Sequence, residues 1–270
     1  MSFSIAGKTT IVTGAANGVG LAIARHFAEK GANVVFADMD EKRLQKEVGE
    51  EAEKEDSNVR LFAGDLREKL TVANLLSATI DAFDRVDILV NASRQMMLSD
   101  PLNADDDAVT KLLNQNLMTS LRMTQMVAKR MIKQAEDEGR EDGPVGSVIN
   151  LSSIAARRTH PDLLAYSVSC AALDQMTRSM AVALADHRIR VNSVAFGSVM
   201  SASLKDSLKE DESCRAEIID NTPLSRIASA SEVAEAAQFL ASEGSGFMTG
   251  QIITVDGGRT LVDNVGTSVH

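Results

Sequence analysis

Residues 9–38 read TTIVTGAANGVGLAIARHFAEKGANVVFAD. An apolar run ends at Thr13, a glycine-rich turn follows, a helical stretch carries Val19, Ile23 and Phe27 on one stripe, and a second apolar run ends on the carboxylate of Asp38. Gly14, Gly18 and Gly20 make a turn that side chains would block, letting backbone N–H groups approach a pyrophosphate at the positive end of the next helix. A lone glycine triplet is weak evidence. Here it lies between a strand and a helix, with an acid ending the following strand, which is the context the dinucleotide fingerprint requires. That acid bonds ribose hydroxyls and repels a 2′-phosphate, and neither Met39 nor Asp40 supplies a compensating cation, so the expected cofactor is NAD(H).

The chain has 270 residues, 44% of them hydrophobic, enough for a sizeable core. Strand-like and helix-like segments alternate without a linker, low-complexity tract or repeat, so one domain spanning residues 1–270 is expected. Strand candidates are 9–13, 33–37, 58–63, 86–91, 146–151, 189–195 and 251–255; helical segments are 18–30, 40–56, 68–84, 104–137, 162–186 and 230–242. The expected fold class is α/β, a Rossmann-type doubly wound sheet of seven parallel strands. Its strand ends would bring Gly14, Asp38, Asp65, Asn91, Ser152, Ser153 and Gly197 to one crevice. Residues 198–227 mix small, charged and apolar side chains without a single period. They read as a substrate lid with Met200, Leu204, Leu208 and Ile218 as an apolar wall, or as a plain surface excursion.

A net charge of −10 and a pI near 5.0 argue against nucleic acid or an anionic membrane as partner. No apolar run reaches membrane-span length, and the start lacks a charged leader with an apolar core, so a cytoplasmic protein is expected. Cys170 and Cys214 form no CxxC pair and the histidines at 26, 160, 187 and 270 are scattered, so no metal site is expected.

Tyr166 is the only tyrosine of the chain and stands in a helical segment beyond Ser153. With TGAANGVG at 13–20, Asp65, Asn91, Asn116 in NQNLM, Ser153 in NLSS, Tyr166, Asn192 and the late VDGG, the chain resembles the short-chain dehydrogenase/reductase family over roughly residues 6–258. The resemblance implies an NAD(H)-dependent oxidoreductase that interconverts a secondary alcohol and a ketone by hydride transfer. In it Tyr166 moves the proton, Ser153 orients the substrate oxygen and Asn116 holds a water of the proton relay. The cofactor residues implied are Thr13, Gly14, Asn17, Gly18, Val19, Gly20, Asp38, Asp65, Leu66, Asn91, Tyr166, Gly197, Val199 and Ser201. The implied partners are a small-molecule substrate and further copies of the chain, in a homodimer or homotetramer built on helices 104–137 and 162–186. The apolar stripe Leu112, Leu113, Met118, Leu121, Met123 and Met126 is equally consistent with core packing.

Three positions depart from the family pattern, all at the nicotinamide half of the crevice. A free phenol with its pKa of about 10 is only about one part in a thousand phenolate at pH 7. The family's lysine four residues after the tyrosine corrects this, and Cys170 stands there instead. A neutral thiol gives little of that stabilisation and a thiolate would oppose it. The family's NNAG is NASR, which puts Arg94 in place of a glycine, and its Pro-Gly after the sixth strand is Phe196-Gly197. Arg94 is a candidate substitute cation, for the phenolate or for an acidic substrate. The preferred reading turns it to solvent or pairs it with Asp100, Asp105 or Asp106. Arg157 and Arg158 read as a solvated surface pair. The alternative function is a non-catalytic NAD(H)-binding protein that keeps the adenosine half of the site, or a scaffold that binds no dinucleotide.

Overall fold

The central apolar runs contain few polar interruptions because they are covered on both sides, the condition under which parallel strands form. The computed structural model describes residues 2–200 and 212–263. Strands β1 (Thr9–Thr13), β2 (Asn33–Asp38), β3 (Val59–Ala63), β4 (Ile88–Asn91), β5 (Gly146–Ser153), β6 (Ile189–Phe196) and β7 (Ile252–Val255) form one sheet in the order β3-β2-β1-β4-β5-β6-β7, with every adjacent pair parallel. Between them lie α1 (Gly18–Glu29), α2 (Glu41–Ala52), α3 (Lys69–Phe83), α4 (Ala108–Leu112), α5 (Thr119–Asp137), α6 (Leu164–Leu184), α7 (Glu212–Asp220) and α8 (Ala230–Ala241). This is a single α/β domain with a Rossmann-order sheet, as the strand pattern leads one to expect.

Successive strand side chains enter opposite cores. Val12, Val34 and Phe36 pack with Ile23 and Phe27 of α1 and Leu240 of α8, while Ile11, Val35 and Ala37 pack with Leu75 of α3 and Met123 and Val127 of α5. Phe27 and Phe36 are fully buried, and each such side chain contributes about 1.5–3 kcal/mol. A third, smaller cluster holds Leu112, Ala155, Ala165, Tyr166 and Cys170 beside the sheet's carboxyl edge. The strand order reverses between β1 and β4, which opens the crevice there.

The expected helix over 104–137 is corrected. Asp106 accepts a hydrogen bond from the Ala108 N–H at 2.8 Å, so the acidic stretch before it forms turns and α4 begins at Ala108. The backbone then widens over Leu113–Met118 into a π-helical turn before α5. Of the predicted lid, Met200 and α7 are described. Ser201, Leu204 and Leu208 lie outside the described residues. Among the described residues no helix is long and apolar enough to cross a membrane, and no group of three or more His, Cys, Asp or Glu side chains is arranged to hold a metal ion.

Candidate active site

The turn after β1 is closed to side chains at Gly14 and Gly20. Gly14 has φ +66°, and a Cβ there would meet the Ala92 carbonyl oxygen across the β1/β4 switch point at 2.7 Å, while a Cβ on Gly20 would strike the Gly14 carbonyl. The side chain of Asn17 caps none of the first N–H groups of α1, so that helix terminus keeps free donors, as an anion cradle requires. Asp38 ends β2 with Oδ2 accepting from Ala16 N at 3.1 Å and Oδ1 from Asp40 N at 3.0 Å, so its carboxylate is fixed at the rim of the same turn. These residues fit a dinucleotide. Val19 and Leu66 are buried around the crevice. Asp65 is held by Arg67 at 2.6 Å, whose hydrogen bonds keep the carboxyl below its ordinary range.

Thr13 and Asn91 have structural partners. Thr13 Oγ1 accepts from Ala92 N and Ser93 N, both at 3.0 Å, tying the end of β1 to the segment after β4. The buried Asn91 amide donates to Asn150 Oδ1 at 2.8 Å and Thr124 Oγ1 at 3.1 Å, joining β4 to β5 and α5. Gly197 donates to the Val255 carbonyl at 3.0 Å, and Val199 is buried and bridged to Ala228.

Tyr166 opens α6 two residues after its first and is 4% exposed. Its phenol receives a hydrogen bond from Arg94 Nη1 at 2.6 Å, and the Ser153 hydroxyl, at the end of β5, is near enough to favour its ionisation. This corrects the preferred expectation for Arg94. It pairs with none of the nearby aspartates, because Asp100 and Asp106 accept local backbone N–H groups, and its guanidinium turns inward. Arg94 Nη1 also donates to the Ser152 carbonyl at 3.3 Å, and the guanidinium carbon stands 4.1 Å from the centre of the Phe196 ring. The Tyr166 phenol is held above its ordinary pKa by burial. Arg94 and Ser153 pull it down, and the Cys170 thiol pushes it up. Cys170 is buried one turn along α6, and its own pKa is raised by burial.

Asn116, in the widened turn, is 3% exposed. Its Oδ1 accepts from Gln95 N at 2.8 Å, and its Nδ2 donates to Gln95 O at 2.9 Å and Ser169 Oγ at 3.0 Å. Both amide donors are therefore engaged within the protein, and the side chain clamps the residue after Arg94. Arg157 and Arg158 reach Thr254 and Thr260, away from the phenol, and are exposed, matching their reading as a surface pair. Sequence reasoning missed the clamp by Gln95 and Ser169 and the ring-to-guanidinium stack. Its one available signal for the stack was that two of the three departures, Arg94 and Phe196, follow or end strands two apart in the sheet.

Comparison with known proteins agrees with this geometry. Residues 14–260 match the family model described as Enoyl-(Acyl carrier protein) reductase. The chain is 33% identical over 258 residues to 3-oxoacyl-(acyl-carrier-protein) reductase FabG of Thermotoga maritima, covering 94% of this chain and 98% of that protein. Among solved structures, a 7 alpha-hydroxysteroid dehydrogenase complexed with NADH and 7-oxo glycochenodeoxycholic acid is similar with a TM-score of 0.84 and 28% identity, over 95% of this chain and 96% of that one. A gluconate 5-dehydrogenase from Burkholderia cenocepacia J2315 in complex with NADP and tartrate is similar with a TM-score of 0.84 and 28% identity, over 97% of this chain and 98% of that one. With a doubly wound sheet, a glycine-rich turn at its switch point, and a serine and a tyrosine near the carboxyl edge, this chain belongs to the short-chain dehydrogenase/reductase family of oxidoreductases.

Proposed function

We propose that the protein is an NAD(H)-dependent oxidoreductase that interconverts a secondary alcohol and a ketone on a small-molecule substrate. The observation that carries this reading is the buried Tyr166 phenol, near Ser153 and hydrogen-bonded to a cation, at the crevice that the glycine turn opens. The N–H groups opening α1, from Gly18 to Gly20, would hold the pyrophosphate and Asp38 the adenosine ribose. The dinucleotide, when bound, supplies the hydride acceptor or donor. Ser153 then orients the substrate oxygen, and the Tyr166 oxygen gives or takes its proton. Of the expected substrate cover, residues 198–200 and 212–227 are described. A homodimer or homotetramer is supported by Val168 and Val182, 40% and 80% exposed on α6. A cytoplasmic setting suits the two unpaired thiols.

The test is turnover of a panel of secondary alcohols with NAD+ and of ketones with NADH. Tyr166→Phe is expected to lower kcat/KM by about 10²–10⁴-fold, with NADH affinity retained. Because the phenol titrates above its ordinary value, alcohol oxidation should rise with pH well past neutrality as the phenolate forms, while ketone reduction holds to high pH. A flat pH profile in both directions would rule out the phenol as proton carrier. A second reading, dinucleotide binding without turnover, is supported by the guanidinium of Arg94 crossing from the end of β4 over Ser152 to Phe196, where it narrows the nicotinamide half of the crevice. Binding of NADH with no turnover on the whole panel would favour it.

A further inference from the structure

The three departures at the nicotinamide half form one contact unit. Arg94 follows β4, Phe196 ends β6 and Cys170 lies on α6, yet Arg94 and Cys170 both act on the Tyr166 phenol and Phe196 lies beneath the Arg94 guanidinium. The backbone that carries Arg94 is fixed on both sides. Ser93 is held by Thr13 at its N–H and by Gln115 at its hydroxyl, the latter at 3.2 Å, and Gln95 is held by Asn116 at both its N–H and its carbonyl. A half-buried arginine with an anchored backbone, a ring face beneath its guanidinium and no carboxylate partner among the described residues is a placed cation. A side chain turned to solvent would need none of these supports.

We propose that Arg94, seated on Phe196, is the positioning residue that gives the Tyr166 phenol its cation, and that Cys170 is small and neutral because a second cation would crowd that place. The inference rests on the oxidoreductase reading above. A guanidinium stays charged at every working pH, and a charge-assisted N–H bond to the phenol oxygen favours the phenolate. In ketone reduction the Tyr166 O–H bond breaks, its proton passes to the substrate oxygen, and the electron pair stays on the phenol oxygen under the Arg94 N–H. Arg94 keeps all its own protons. Phe196 holds the guanidinium plane by a cation–π contact. A lysine at 170 would bring an ammonium beside this guanidinium, and the two charges would repel. The titratable groups around the phenol are Arg94 from the segment after β4 and Cys170 from its own helix. Asp174 acts on Cys170 and Arg157 on Asp174, while Lys111 on α4 is paired with Asp107 at 2.8 Å.

The chain has one tyrosine and no tryptophan, so phenolate ultraviolet absorbance reports Tyr166 alone and needs no substrate. The full-length protein, with and without saturating NAD+, is titrated as wild type, Arg94→Met, Arg94→Gly, Phe196→Leu, Cys170→Lys and the double variant Arg94→Gly/Cys170→Lys, with circular dichroism marking the pH at which each unfolds. Arg94→Met is expected to delay phenolate formation by at least about one pKa unit, a tenfold change in the ionisation constant, or beyond unfolding. Phe196→Leu, which keeps the cation, should shift it less in the same direction and serves if Arg94→Met does not fold. Cys170→Lys should restore early ionisation, and kcat, only when Arg94 is glycine. Coincident titrations of wild type, Arg94→Met and Phe196→Leu would overturn the proposal, as would a wild-type phenol that stays protonated until the chain unfolds, or a Cys170→Lys gain equal in both backgrounds. So would NADH binding tightened more than about tenfold by Arg94→Met with ADP-ribose binding unchanged, which would make the guanidinium a plug. A wild type that shows the Arg94-dependent titration but turns nothing over refutes the oxidoreductase reading alone. Turnover without that titration refutes the role of Arg94 alone.

Discussion

At the scale of single residues, the balance at Tyr166 would decide the proposed chemistry. Bringing a phenol from about 10 to about 7 requires roughly 4 kcal/mol of preference for the anion. A unit charge about 4 Å away in a partly buried site supplies about 4 kcal/mol, so one guanidinium is of the needed size. Burial opposes it and prevails in this structure, which leaves the phenol above its ordinary value. Asp38 acts by charge as well. Its carboxylate is anchored by two backbone N–H groups and would face the 2′ position of the adenosine ribose. NADH is therefore expected to bind at least about tenfold tighter than NADPH, and Asp38→Ala to narrow that ratio mainly by improving NADPH. Competitive displacement of a fluorescent dinucleotide would measure both, and a ratio unchanged by Asp38→Ala would remove the residue from cofactor choice.

At the scale of elements, the long expected helix of 104–137 is really a short helix, a widened turn and a long helix, and the widening carries Asn116. Wide turns recur at functional sites because one extra residue re-aims a side chain. Here the re-aimed amide grips Gln95 at both backbone groups, so the element shapes the segment that bears Arg94. Asn116→Ala would leave the Gln95 N–H and carbonyl without these partners and is expected to lower stability by about 1–3 kcal/mol, seen as a lower denaturant midpoint. The same variant should weaken the Arg94-dependent phenol titration. A stability loss with that titration intact would limit Asn116 to holding the fold together.

At the scale of the whole molecule, the parallel sheet is what makes distant residues neighbours. Thr13, Arg94, Ser153 and Phe196 end or follow β1, β4, β5 and β6, which lie side by side, so their side chains converge at one edge. Ligand held there bridges both halves of the sheet. NADH is therefore expected to stabilise the folded chain against heat by mass action, by about 2.7 kcal/mol at a concentration one hundred times its Kd. A melting temperature indifferent to NADH at millimolar concentration would reject NADH binding.

The alternating apolar runs, the glycine spacing and the acid after the second strand are local patterns, each decided by residues near in sequence. From them the sequence by itself determined the seven-stranded doubly wound sheet and the place of the dinucleotide turn. It also put Ser153 at a strand end, while Tyr166 was singled out as the only tyrosine and by the family resemblance. The direction of the Arg94 side chain was not legible. Position 94 is followed within a short stretch by Asp100, Asp105 and Asp106, and electrostatics over short sequence distances favours them. Only the tertiary structure decided otherwise, because the sheet brings Phe196 and Tyr166 within reach and the anchored backbone aims the side chain at them. A cation moved from a helix to a loop leaves no motif, since its two positions are adjacent only in space.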